Sequence, residues 1–338
     1  MASQYAFATI ITSSHLGYVR TLAQSLGENS EKHCLLHCLI VDGDQTPPAE
    51  TVNHKADICY YGVDLVAIDQ IGTTIREKYL TCYQDAFRWS MKSVFVRFLL
   101  CSGKADAVAF VDPDQFFVGN PAVVFEQLST SRFLLSPHDR PIDPAAGSLF
   151  YDQFTDGMFN GGLFVARHDS ADVLTWWAKA CAHRCEKNSA SGLFVDQKYL
   201  DAVLTNFSAT DWIRHRGVNV ASWNMTTRRR SNGPDGQILI DTHPLICVHF
   251  SGSTIRMIDQ NADPVLAPVL REYRSCLEHH GITLSPDGSG SSKQTSKHVP
   301  AKKRSWFSRA STFLRPNTDS LSNAPTQIRK SGQSSTDL

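Results

Sequence analysis

Residues Ala107–Val111 form a fully apolar run that passes straight into Asp112-Pro113-Asp114. This junction constrains the chain more than any other feature. It reads as a short buried strand with two carboxylates in the turn at its carboxyl end, and open parallel α/β sheets bind their ligands at that end. Two carboxylates one residue apart can hold one Mg²⁺ or Mn²⁺ through oxygen. Such an ion can bridge a diphosphate and stabilise it as a leaving group. The plain alternative is a polar turn that caps the strand.

The flanking sequence supports a parallel sheet. Tyr5–Thr12 is β-rich and apolar, Ser13 and Ser14 can cap a helix from about Leu16 to Leu26, and Leu35–Val41 is a second strand. Strand–helix–strand at this spacing points to an α/β fold with a mostly parallel sheet. Weaker strands are expected near Ile58–Tyr60 and Val66–Ile68. Gln84–Leu100 reads as a helix, with Phe87, Met91, Val94, Phe95 and Phe98 at helical spacing and Arg88 and Lys92 on another face. Further strands are expected at Phe133–Leu135, Leu163–Ala166 and Ile246–Phe250. Helices are expected over Ser170–Cys185, from Val195 to Leu204, and over Pro264–His279.

Of the 338 residues 42% are hydrophobic, which is ample for a large core. Net charge is zero, so nothing global argues for binding nucleic acid. The balance is uneven, however: residues 285–338 hold nine Lys/Arg and three Asp/Glu. There the composition turns to Ser, Gly, Lys and Pro, which reads as a disordered basic tail following a domain of residues 1–284. Within the tail, segment 302–315 sets Trp306, Phe307, Phe313 and Leu314 among five basic residues. It reads either as a peripheral membrane-surface segment or as a solvated tail that binds nothing. No apolar run is long enough to span a bilayer, and no secretory signal is evident. Nine scattered cysteines without a CxxC pair fit reduced thiols in the cytoplasm, with membrane contact, if any, at its inner face. The clusters His33-Cys34/His37-Cys38 and Cys181/His183/Cys185 read as buried strand and helix rather than as metal sites.

Several further segments flank the carboxylate pair along the chain. They are Lys92-Ser-Val-Phe-Val-Arg97, Ser136-Pro137-His138, Phe159-Asn160-Gly161-Gly162, Phe194-Val195-Asp196-Gln197, Asn219-Val-Ala-Ser-Trp223-Asn224 and His249-Phe250-Ser251-Gly252. In this order, over about residues 5–255, they resemble the GT-A-fold glycosyltransferases of family 8 and related bacterial hexosyltransferases.

The resemblance implies a Rossmann-like GT-A domain that uses Mn²⁺ or Mg²⁺ to move a hexose from a nucleotide-sugar donor, a UDP-hexose, to an acceptor hydroxyl, with retention. It implies Asp112, Asp114 and His249 as metal ligands. Lys92 and Arg97 would lie near the donor sugar and diphosphate, where Arg suits bidentate contacts. Asn160 and Gly161 would contact the sugar, since an amide both donates and accepts. Asp196 and Gln197 would lie at the reacting carbon, Trp223 and Asn224 would shape the pocket, and Gly252 would let backbone approach phosphate. Thr12 and Ser13 leave the first strand where this fold holds the nucleotide, with His15 and Asp42 as weaker candidates. The acceptor stays open among a glycan, a lipid-linked sugar and a protein hydroxyl.

One departure stands out. The Lys-Pro-Trp that follows the family's histidine is absent, so its diphosphate contact must come from elsewhere, Lys92 or Arg256 being candidates. No GxGxxG follows the first strand, which argues against a dinucleotide fold. Competing readings are a DxD phosphohydrolase, whose motif sits in the first strand, a sugar-nucleotide pyrophosphorylase, whose Gly-rich basic first loop is missing here, and a non-catalytic nucleotide-sugar or glycan-binding protein.

Overall fold

The computed structural model describes residues 5–43, 46–66, 69–284 and 290–292. Of the basic tail only 290–292 is among them; segment 302–315 lies outside the described residues. β1 (Tyr5–Ile11) is buried from its second residue on, and its side chains divide strictly between two cores. Ala6, Ala8 and Ile10 join one apolar cluster, while Phe7 and Ile11 join another. That alternation is what a strand covered on both faces requires. Helix α1 (Leu16–Glu28) covers one face with Val19, Leu22 and Leu26. Helices α2 (Gln70–Tyr79), α3 (Gln84–Cys101) and α4 (Ala171–His183) supply the other, through residues such as Ile75, Phe95 and Trp177.

The main sheet adds β2 (Cys34–Ile40), β3 (Glu50–Asn53), β4 (Ala56–Gly62), β5 (Ala107–Val111), β7 (Phe133–Pro137), β8 (Phe159–Arg167) and β9 (Thr210–Trp212). Its spatial order is β9-β7-β8-β5-β1-β2-β4-β3. The β5-β1, β1-β2, β2-β4 and β9-β7 pairs run parallel. β8 is antiparallel to both β5 and β7, and β3 to β4. The fold is therefore α/β with a mostly parallel central sheet flanked by helices.

Several expected elements differ. Val66 closes a short helix, Val63–Val66, rather than opening a strand, and residues 67 and 68 lie outside the described residues. The expected helix from Val195 becomes a 3₁₀ turn, Gln197–Ala202, followed by Val203–Asn206, because Val195 itself sits at φ 48°. Ile246–Phe250 yields a shorter strand, β10 (Cys247–His249), that stays outside the main sheet. It pairs antiparallel with β6 (Gln115–Phe117), the three residues directly after the carboxylate turn. Helices α5 (Gly252–Asp259) and α6 (Ala267–His279) follow and pack Ile255, Leu270 and Tyr273 against Phe116 and Val248. No helix among the described residues is long and apolar enough to cross a membrane.

Candidate functional site

The site starts where β5 stops. The Asp112 backbone N–H still bonds to the Gly162 carbonyl of β8 at 2.8 Å, and Gln115 N–H closes a turn onto the Asp112 carbonyl at 3.1 Å. Pro113 fills the second turn position, where its fixed φ is favourable. The chain then leaves the sheet as β6, and its ladder with β10 places His249 opposite Gln115. Phe250 N–H donates to the Asp114 carbonyl at 2.9 Å, which pins the two segments at the carboxylate itself. Asp112, Asp114 and His249 thus converge from positions far apart in sequence, with one ligand atom of each within 4.8 Å of the others.

The histidine is oriented for ligation. Its Nε2 lies 3.1 Å from Asp114 Oδ1, and its Nδ1 lies 3.2 Å from Asn219 Oδ1. With Nδ1–H donated to Asn219, the Nε2 lone pair faces the carboxylates, the arrangement that orients metal-ligating histidines elsewhere. Asn219 is fully buried at φ 57°, a conformation Asn tolerates better than most residues. Its amide nitrogen donates to Ser136 Oγ at 2.8 Å and Asn160 Oδ1 at 3.2 Å.

The charges of the site compensate one another. Burial alone would neutralise His249, but Asp114, then Asp112, raises its pKa above the ordinary value. Burial opposes ionisation of Asp114 too, and the His249 charge still holds its pKa low. About a third of the Asp114 side chain is exposed, at 32%, so the triad stays open to solvent. Oxygen and imidazole donors with an open side suit Mn²⁺ or Mg²⁺. The floor is shaped to match: a Cβ added at Gly162 would come within 2.6 Å of Asp112 Oδ2 and of His249 Cε1.

Around the triad the expected residues separate. Lys92 is 5% exposed and belongs to the site. Its Nζ lies 3.2 Å from Asp112 Oδ1 and 3.6 Å from Asp196 Oδ2, and donates to the Gly161 carbonyl at 2.9 Å. Despite its burial, Asp112 and Asp196 raise its pKa, so it is a cation. Removing one partner from such a buried group costs roughly 3–5 kcal/mol. Asp196 is 1% exposed, and burial, with Asp112 adding, pushes its pKa to about 6 against the pull of Lys92. Val195 before it holds the left-handed conformation, a strain of about 1–3 kcal/mol in a β-branched residue.

Gln197 lies beside this group, but its amide is committed. Oε1 accepts from Gly161 N–H at 3.0 Å and Asn160 Nδ2 at 3.2 Å, and Nε2 donates to the Asp156 carbonyl at 2.8 Å. Asn160 Oδ1 accepts from Gly162 N–H at 3.0 Å. The pairing of β7 with β8 jumps from Leu135↔Phe164 to Ser136↔Asn160, so the Gly pair leaves that ladder and lies over the end of β5. His138 donates Nδ1–H to the Gly157 carbonyl, and burial, then Arg140, pushes its pKa down to about 3, so it is neutral.

Trp223 stands edge-on to His249 and to His138, with ring centroids 5.1 and 5.5 Å apart, and its buried Nε1–H has no partner. Asn224 is instead structural. It is fully buried, accepting from Ala221 N–H at 3.1 Å and Arg230 Nη2 at 3.1 Å. Gly252 opens α5, three residues beyond His249, with Ser251 as the cap. There Ser251, Ser253 and Ser222 form a hydroxyl chain at 3.0 Å spacings. Arg256 lies on the exposed side of the same helix.

At the ends of β1 and β2, Asp42 accepts from Ser13 N–H at 2.6 Å and Ser13 Oγ at 3.1 Å. Thr12 Oγ1 lies 2.6 Å from His15 Nδ1. Burial and then Arg88 lower the His15 pKa while Asp42 and Asp114 oppose them, so these side chains share one electrostatic neighbourhood.

Arg97 is a correction to the expected set. It pairs with Asp69 and donates to Thr175 Oγ1 at 3.1 Å, away from the triad. Besides Lys92, the same helix carries Arg88, whose charge acts on Asp114, His15 and Lys92. Gln115 was also missed. It is fully buried, its Nε2 donates to the Gly162 carbonyl at 2.8 Å, and its Oε1 lies 3.5 Å from Cys247 Sγ. The helical count from Lys92 already sets Arg88 on its face, though not as a site residue; nothing local marks Gln115.

No family model matches the chain. It is similar to the uncharacterized protein YfnF of Bacillus subtilis (strain 168), at 29% identity over 301 residues, which cover 84% of this chain and 96% of that protein. YfnD of the same organism, also uncharacterized, is 25% identical over 260 residues, 75% of this chain and 79% of its own. Among solved structures, apo mouse xyloside xylosyltransferase 1 superposes over 74% of this chain and 98% of its own, with TM-score 0.46 and 11% identity. The galactosyltransferase LgtC, in complex with donor and acceptor sugar analogs, does so over 81% and 95%, with TM-score 0.48 and 12% identity.

Two outcomes follow from this geometry. Gly162→Ala places a methyl group in the floor of the triad at a backbone φ that alanine tolerates, so Mn²⁺ affinity by calorimetry should fall about tenfold or more while the protein stays folded. Because His249 carries a proton below its raised pKa and must lose it to ligate, Mn²⁺ binding should release about one proton per site at pH 6 and progressively less as pH rises past that pKa. Calorimetry in buffers of differing ionisation enthalpy reads this directly.

Proposed function

We propose that this protein is a metal-dependent glycosyltransferase of the GT-A type. It moves a hexosyl group from a nucleoside diphosphate sugar, a UDP-hexose, to a hydroxyl of a glycan, lipid-linked or protein acceptor, with retention at the anomeric carbon. The observation that carries this reading is the convergence of Asp112, Asp114 and His249 over a glycine floor at the carboxyl edge of a mostly parallel sheet.

Asp112, Asp114 and His249 would hold Mn²⁺ or Mg²⁺, with Asn219 fixing the imidazole tautomer. The bound ion supplies charge neutralisation for the departing nucleoside diphosphate. The start of α5 offers the Gly252 and Ser253 backbone N–H groups and the Ser251/Ser253/Ser222 hydroxyls to phosphate oxygens, where the resembled family uses a lysine. Ser13, Asp42 and His15 line the ends of β1 and β2 for the nucleoside. Trp223 brings an unpartnered indole N–H to the same side as His249.

Asp196, with a pKa of about 6, is mostly ionised at neutral pH, and it lies 3.2 Å from the position a Gly161 Cβ would take. There its carboxylate is suited to accept from donor-sugar hydroxyls and to stabilise positive charge developing at the reacting carbon. Lys92 forms ion pairs with both Asp112 and Asp196. Gln197 positions Asn160 and Gly161 through its committed amide. All nine cysteines are free, which supports a reducing, cytoplasmic setting, and the basic segment 302–315 is the part suited to a membrane surface.

A panel of UDP-, GDP- and dTDP-sugars, assayed with and without Mn²⁺, tests the reading. One donor should be cleaved only with the metal, and Asp114→Ala should lower that rate about a hundredfold or more. Phosphate release from simple phosphoesters would instead indicate a phosphohydrolase, and tight UDP binding without turnover a binding protein.

A further inference from the structure

Most basic side chains around the site are already engaged. Lys92 holds Asp112, Asp196 and the Gly161 carbonyl. Arg216 binds Asp139 and Asp241, Arg228 binds Asp139 and the Val218 carbonyl, and Arg230 binds Asp263 and the Ala221 carbonyl. Arg88 differs. Among the described residues its one ion pair is with Asp85, at 3.5 Å, and it makes no hydrogen bond. Its side chain is 27% exposed, so the guanidinium is within reach of a ligand.

Helix geometry carries Arg88 over the ligand side of the sheet. α3 returns to β5 through residues 102–106 and packs antiparallel beside it. Lys92 Nζ meets Asp112 Oδ1 at 3.2 Å, so Lys92 stands level with the carboxyl end of β5. Arg88 lies four residues earlier on the same face, roughly 6 Å further along the helix axis beyond that end. Helical side chains tilt toward the N-terminus, which takes its guanidinium further the same way. Its positive charge lowers the pKa both of His15, just past the end of β1, and of Asp114 in the triad. A ligand that reaches from the end of β1 to the triad therefore passes Arg88.

The surrounding carboxylates leave this cation loosely matched. Asp42 accepts from Ser13, Asp112 pairs with Lys92, and Asp114 pairs with His249. Asp85 alone answers Arg88, and burial pushes its pKa up while Arg88 pulls it down. With no hydrogen bond between them, an incoming anion displaces Asp85 without breaking one. A guanidinium takes adjacent anionic oxygens in pairs, which a diphosphate presents and a neutral sugar does not. We propose that Arg88 is a diphosphate-binding residue, whose guanidinium leaves Asp85 and donates to phosphate oxygens of a nucleoside diphosphate lying between His15 and the triad. The nucleoside part rests on the glycosyl-transfer reading; the affinity for a metal-bound diphosphate does not.

Calorimetry on the full-length protein tests this with UDP in Mn²⁺ and with inorganic pyrophosphate in Mg²⁺. Arg88→Gln, which keeps a good helix former at a partly exposed position, should weaken both anions about tenfold or more. Affinity for Mn²⁺ alone and circular dichroism should not fall. Asp85→Asn removes the competing carboxylate and should leave both anions bound at least as tightly as before. Anion affinities that Arg88→Gln leaves unaltered overturn the proposal. So does equal weakening by Arg88→Gln and Asp85→Asn, which would make the pair structural, and so does failure of the unaltered protein to bind either anion. Donor cleavage is measured separately. Pyrophosphate binding through Arg88 without cleavage of any sugar nucleotide keeps this inference and removes the glycosyl-transfer reading; donor cleavage with anion affinity indifferent to Arg88 does the reverse.

Discussion

The short ladder between Gln115–Phe117 and Cys247–His249 is the interaction on which the site depends. The end of β5 can place Asp112 and Asp114, but it cannot place an imidazole beside them. Three residue pairs of antiparallel strand, together with the Phe250 N–H bond to the Asp114 carbonyl, bring His249 to 3.1 Å from Asp114. Gln115 ties that ladder to Gly162 of β8, and Asn219 ties His249 to Ser136 and Asn160. Sheet, glycine floor and histidine therefore form one connected network with few degrees of freedom.

Electrostatic balance is the second constraint. Three acidic groups, Asp112, Asp114 and Asp196, lie close together, and like charges at such range repel. Lys92 answers Asp112 and Asp196, and the His249 imidazolium answers Asp114. A divalent cation held by the triad would take over the role of the His249 proton. Left-handed backbone at Val195 and Asn219, both next to site side chains, adds strain that the surrounding hydrogen bonds hold in place.

Much of this was legible in the sequence. β1, β2, β5 and α3 follow from apolar runs and helical spacing, because those elements are buried by local pattern alone. The carboxylate turn and its histidine were identifiable from Asp112-Pro113-Asp114 and His249-Phe250-Ser251-Gly252. Contacts set by distant chain segments were not. The pairing of β6 with β10 spans over a hundred residues, and nothing near Gln115 signals it. Arg97 illustrates a second limit: five residues from Lys92 on a helix is a rotation of about 140°, so the two cannot share a face, whereas Arg88, four residues back, can. Motif likeness favoured Arg97, although the helical count already sets Arg88, not Arg97, on the face of Lys92. Val195 shows a third, since a β-branched residue at positive φ is not foreseeable from propensity.

The central claim is that Asp112, Asp114 and His249 form one divalent-cation site that receives a nucleoside diphosphate. Crystals of the protein grown with Mn²⁺ and UDP, measured at the manganese absorption edge, test it most directly. The account predicts a single strong anomalous peak bonded to both carboxylates and to His249 Nε2, with diphosphate oxygens completing the shell near the start of α5. UDP bound with no manganese at these three residues, or manganese held elsewhere with Asp114 still paired to a protonated His249, would contradict it.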